Sequence, residues 1–72
     1  MNDASRMNTD DVLRVQLEVM RSEHRDLDEA INALQASPTA DTLQIRRLKK
    51  RKLMLKDRIA VIEDLLTPDI IA

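Results

Sequence analysis

Two groups of residues have the types that chemistry needs. His24 stands beside Glu23, two residues after Ser22 and four before Asp28. A histidine among a hydroxyl and carboxylates is the raw material of a general base, a nucleophile relay or a weak ion site. The second group is RRLKKRK, from Arg46 to Lys52, which sets six positive charges in seven residues and is the raw material of a phosphate-binding surface.

The histidine group is incomplete. Ser22 and His24 are two positions apart, a spacing that turns them to different sides of a helix, and Ser37 has no relay beside it. Asp28 and Glu29 are adjacent and surface-directed, so they do not face each other as acid and base across a pocket. The chain has one histidine and no cysteine, which leaves His24 without partners for a strong metal-ligand pattern and rules out disulfides and thiolate chemistry. The expectation is a protein that is not an enzyme, with no catalytic, cofactor-binding or metal-binding residues and no cofactor.

The basic group is ambiguous. On a helix, Arg46, Arg47, Lys49, Lys50 and Arg51 spread around the axis while Leu48 points inward, and Lys56 and Arg58 continue the positive surface. Arg46, Arg47, Lys49, Lys50, Arg51 and Lys56 are the candidate nucleic-acid contacts. They lack company: there is no Gly, Phe, Tyr or Trp, hence no glycine-rich phosphate cradle and no aromatic stacking platform, and no helix-turn-helix or zinc-finger set. Weak, salt-dependent nucleic-acid binding is therefore the competing reading, ranked behind a solvated and internally balanced charge face.

The elements that position these groups follow from spacing. Seventy-two residues make one small domain, and the missing glycines and aromatics favour long helices over a sheet. Large side chains fall at Leu13, Leu17, Met20, His24, Leu27, Ile31 and Leu34, in alternating steps of four and three. The same period returns at Ile45, Leu48, Lys52, Leu55, Ile59, Ile62 and Leu66. Each series is the seam of a coiled-coil helix. The predicted fold class is all-α, an antiparallel two-helix hairpin of coiled-coil type. A helix over about 8–36 leads through a turn at about 37–40 into a helix over about 41–66, forming a domain over 8–67. A flexible N-terminus (1–7) and a short tail (68–72) flank it. Asn8 or Thr9 caps the first helix; Ser37 with Pro38, or Asp41 with Gln44 a turn later, starts the second; Pro68 stops it.

Folding the chain back pairs Leu34 with Ile45, Ile31 with Leu48, Leu27 with Lys52 and His24 with Leu55, and then Met20 with Ile59, Leu17 with Ile62 and Leu13 with Leu66. Charge favours the same reversal. Between Asn8 and Ala36 seven acids meet three arginines, a balance of -4; between Asp41 and Leu66 eight bases meet four acids, a balance of +4. Asp26, Asp28 and Glu29 lie at the height of the basic run and are expected to neutralise part of its field. Lys52, at a seam position, is expected to extend its ammonium to the edge over Leu27; the alternative reading is that it selects register or oligomer number. His24 is expected to fill the seam with one nitrogen hydrogen-bonded at the edge and to make packing pH-sensitive.

Apolar residues remain that one seam cannot bury. Val12 and Val19 lie off the first seam with Val15 on its far side, and the second helix adds Leu53, Met54, Val61 and Leu65, of which Met54, Val61 and Leu65 make a second stripe. The predicted remedy is self-association into a four-helix dimer or a higher oligomer, with Val12, Val19, Leu53, Met54, Val61 and Leu65 as interface candidates, alongside a protein partner of unknown identity. No apolar run approaches the roughly 20 residues a bilayer needs and the N-terminus has no leader pattern. Cytoplasmic residence is the default expectation, and membrane association of the short apolar stripe, which lacks aromatic anchors, ranks last.

The segments EHRDLDEAINALQ (Glu23–Gln35) and LQIRRLKKRKLMLKDRIAVIEDLL (Leu43–Leu66) resemble the YdcH-like family of small bacterial proteins of unknown function, over about Leu17 to Leu66. The resemblance is carried by His24, Leu27 and Ile31, then by the LKKRKLMLKD run and Ile59. It implies a short helical hairpin and assigns no reaction, substrate or partner.

Overall fold

The protein is described here by a computed structural model over residues 8–67; the expected frayed N-terminus, the C-terminal tail and the stop at Pro68 lie outside the described residues. Two helices, α1 (Thr9–Gln35) and α2 (Thr42–Leu66), pack against each other as a hairpin, with no strand among the described residues.

Each helix starts where a polar side chain can satisfy an otherwise unpaired backbone N–H. The Asn8 side chain accepts from the Asp11 N–H at 2.8 Å, and Asp10 and Asp11 place negative charge in the first turn of α1. Asp41 caps α2, its carboxylate accepting from Leu43 at 2.9 Å and from Gln44 at 3.4 Å. Of the two capping arrangements open in the sequence, the later one is used. Ser37 and Pro38 belong to the turn instead: the Thr39 N–H donates to Ser37 Oγ and the Ala40 N–H to the Ser37 carbonyl, each at 3.3 Å. A side-chain oxygen that closes a local turn is not free to start a helix. α2 ends at Thr67, whose N–H and hydroxyl both donate to the Glu63 carbonyl, at 3.0 and 2.6 Å.

The seam is where the spacing puts it. All of its members on both helices, from Leu13 to Leu34 and from Ile45 to Leu66, are buried or half-buried, whereas most other positions of the two helices are exposed. Only Leu17, Ile31 and Ile62 are buried among the described residues, and each keeps a few per cent of its surface exposed. A two-helix layer has no third element to close over its edges, so half-burial is the best most seam positions can reach. Along the seam, the His24 and Lys52 levels are adjacent and separate two apolar stretches. Ile31 and Leu48 lie on the turn side, Leu17 and Ile62 on the open side.

Candidate functional site: two unlike faces of one hairpin

A two-helix layer has two broad faces, and the charged residues are distributed between them. On one face the two inter-helix ion pairs form: Lys52 Nζ donates to Asp28 Oδ1 at 2.5 Å, and Arg21 Nη2 to Glu63 Oε2 at 2.6 Å. Lys49, Lys52, Leu53 and Lys56 line a depression here with Asp28 and Ile31, and its continuation is lined by Arg21, His24, Ile59 and Glu63. This is the lysine face.

On the other face, Arg47, Arg51, Met54 and Arg58 line an open groove with Glu23 from α1, floored by Leu48 and Leu55. The groove continues past Arg58 to Met20, Val61 and Ile62. Residues four and seven apart share a side of a helix. Leu65 thus follows Val61 on this face, and Val19 and Val12 precede Glu23 on α1. This is the arginine face. It is apolar towards the open end of the hairpin and arginine-lined towards the turn.

The candidate interface residues therefore divide. Val12, Val19, Met54, Val61 and Leu65 share the arginine face, and each is between 41% and 59% exposed. Leu53, equally exposed, looks out on the lysine face. Leu43, which the sequence reading passed over because it precedes the second seam, is also an exposed large apolar side chain.

The candidate nucleic-acid contacts do not form one patch either. Arg47 and Arg51 line the arginine groove, Lys49 and Lys56 the lysine depression, and Lys50 borders the former. Internal neutralisation is narrower than the charge balance suggests. Among the described residues, Arg46, Arg47, Lys49, Lys50, Arg51 and Lys56 make no ion pair within 4 Å, and of Asp26, Asp28 and Glu29 only Asp28 pairs with a base. The other inter-helix pair has reversed polarity, with the base on α1 and the acid on α2. Long exposed side chains gain too little from a surface ion pair to give up their rotamer freedom, which is why opposite net charges need not close into contacts.

Lys52 does reach the edge of the seam as a snorkelling lysine should, with a third of its side chain exposed, and the structure adds the partner that sequence spacing did not identify. The hydrogen bond from Lys52, with its positive charge beside it and a smaller contribution from His24, holds the Asp28 carboxyl below the ordinary value of 3.8. His24 differs from expectation. It is half-buried in the seam, but its Nε2 is buried without a hydrogen-bond partner instead of bonding at the edge. Across the seam Ile59, Lys52 and Lys56 share its depression with Glu63, whose carboxylate is taken by Arg21. Aliphatic groups do not hydrogen-bond and ammonium groups offer no acceptor.

Among the described residues, no three of His, Cys, Asp and Glu cluster in a way that holds a metal ion, and no helix is long and apolar enough to cross a membrane. Residues 17–63 match the family described as protein of unknown function DUF465, and the chain belongs to that family, as the YdcH-like resemblance anticipated. No curated protein and no solved structure matches it.

Proposed function

We propose that this DUF465 member is a non-catalytic protein-interaction module that works as an assembly of its own copies before it meets any other partner. One observation carries the reading. Among the described residues eight large apolar side chains are more than 40% exposed while three are buried. Single exposed apolar residues are ordinary on any protein, but here most of them gather on one face of a thin hairpin, and covering that face is worth roughly 25 cal/mol per Å². A chain this short with no disulfide or metal to staple it gains much of its stability in this way. Sedimentation equilibrium at tens of micromolar tests the proposal: two or more chain masses are expected, and one chain mass refutes it.

The unpaired cations support the competing reading, a phosphate-binding surface on α2. Its signature is affinity for nucleic acid that falls steeply as salt rises, because bound cations release counterions from the backbone. The division of the cations between two faces argues against it, since a single duplex groove contacts one. Titration with duplex DNA and single-stranded RNA at low salt decides the matter; no binding is expected, and salt-sensitive binding by both would favour the phosphate surface.

A further inference from the structure

The arginine face has a matching order along its two helices, and the match specifies how copies meet. From the open end towards the turn, α1 presents Val12, Val19, Glu23 and, by its spacing of seven from Val19, Asp26. Over the same span α2 presents Leu65, Val61, Arg58, Met54 and Arg51. The α1 stripe runs from apolar to charged, the α2 stripe does so with Met54 set between its arginines, and the charges of the two are opposite.

We infer that two copies of the chain stack through their arginine faces with both turns at the same end, α1 of each lying on α2 of the other; this rests on the self-association proposed above and gives it a geometry. A two-fold axis along the length of the hairpin sets α1 opposite the second copy's α2 at equal height. Val12 then meets the partner's Leu65, Val19 the partner's Val61, Glu23 the partner's Arg58 and Asp26 the partner's Arg51. Apolar side chains cover apolar side chains at the open end, and carboxylates meet guanidinium forks near the turn, the pairing for which arginine is better shaped than lysine. Every helix is antiparallel to its neighbours, in the manner of a four-helix bundle.

The end-for-end stack of the same faces is worse on both counts. It lays Val61 and Leu65 against the partner's Arg51 and Arg47, so that cations lose water to aliphatic neighbours without gaining a counter-charge. Within one hairpin, Glu23 and Arg58 line the same groove yet form no ion pair within 4 Å. Both are left available to a second copy. The lysine face offers no comparable match, because Asp28 and Glu63 already hold Lys52 and Arg21.

The chain has no cysteine, which makes a directed cross-link clean. Val19→Cys and Val61→Cys are prepared as separate full-length chains, checked for helicity, mixed, allowed to exchange and oxidised. A disulfide forms only where Cα atoms approach within about 7 Å. The expected result is a 19-to-61 link between chains in the mixture, in several-fold excess over any link formed by either variant alone. A dominant 19-to-19 or 61-to-61 link overturns the arrangement, as does a two-chain mass by sedimentation with no 19-to-61 link. A one-chain mass for the unmodified protein instead removes the self-association reading itself, so the two failures are distinguishable.

Discussion

The lysine face and the arginine face are built on the same two helices and flank the same seam, yet they handle charge differently. On the lysine face Asp28 and Glu63 take up Lys52 and Arg21 at hydrogen-bonding distance. On the arginine face Arg47, Arg51 and Arg58 stand beside exposed valine, leucine and methionine with no ion pair among the described residues. Contacts made within a chain fix its register, while groups left unmatched are available to another molecule. A hairpin can thus carry its folding information on one side and its association information on the other.

Four substitutions and one change of pH test the two faces, and the largest effect is the one that ignores the distinction. Ile31 is the most buried side chain among the described residues, 3% exposed, and serves both faces from the seam. Ile31→Ala is expected to cost about 2 to 5 kcal/mol, a large part of the stability available to so small a chain. Thermal unfolding followed by circular dichroism should show the transition shifted sharply down or lost, and a melting temperature within a few degrees of the parent would contradict the seam.

Val61→Lys and Leu53→Lys then set one face against the other. At similar exposure, 58% and 59%, the first is expected to weaken self-association by about 1.4 to 2.8 kcal/mol, roughly tenfold to a hundredfold, and the second to leave it nearly unchanged. Sedimentation velocity across a dilution series measures both, and equal effects would abolish the difference between the faces.

Lys52→Leu sharpens the comparison from the lysine side. It removes an ion pair whose partner remains about half exposed, a contact that contributes little at a solvated surface, and extends the apolar seam. A net gain of roughly 1 kcal/mol in stability is expected, together with a broader distribution of oligomer masses, because a charge at a seam position penalises alternative packings. Higher stability with an unchanged mass distribution would leave Lys52 with no part in selecting the assembly.

The smallest effect is an acid limb. Lys52 lowers the Asp28 carboxyl in the folded chain below its ordinary 3.8, so the folded state holds its proton less tightly than the unfolded state does. The pair therefore contributes stability above about pH 3.8 and loses it as pH falls from there through the lower folded value. Melting temperatures between pH 5 and pH 2 should fall less steeply in Lys52→Leu than in the parent. Parallel curves would remove the pair from the account.

The fold was legible because two seams in steps of three and four leave one way to bury both, and every seam residue from Leu13 to Leu66 sits where that solution puts it. What stayed hidden depends on competition between near-equal local options. Ser37 with Pro38 and Asp41 with Gln44 are both good helix starts, and the choice fell to the one whose alternative could close the turn. Partner choice among surface charges is a matter of rotamers and fractions of a kcal/mol, so residue types do not distinguish Asp28 from Asp26 as the mate of Lys52. The division of the candidate interface by face was available in principle: Leu53 is one residue from Met54, and a step of about 100° on a helix is enough to change sides.

The interruption of the seam at His24 and Lys52 bears on how the molecule opens. Backbone amides exchange with solvent through cooperative opening units whose borders lie where side-chain cohesion is weakest. Here that border runs across the middle of the rod: a clasp beside the bend, centred on Ile31, and a longer clasp beside the termini, centred on Leu17 and Ile62. Deuterium uptake should accordingly arrive in two waves, the half bearing the valines loosening while the half beside the bend stays shut.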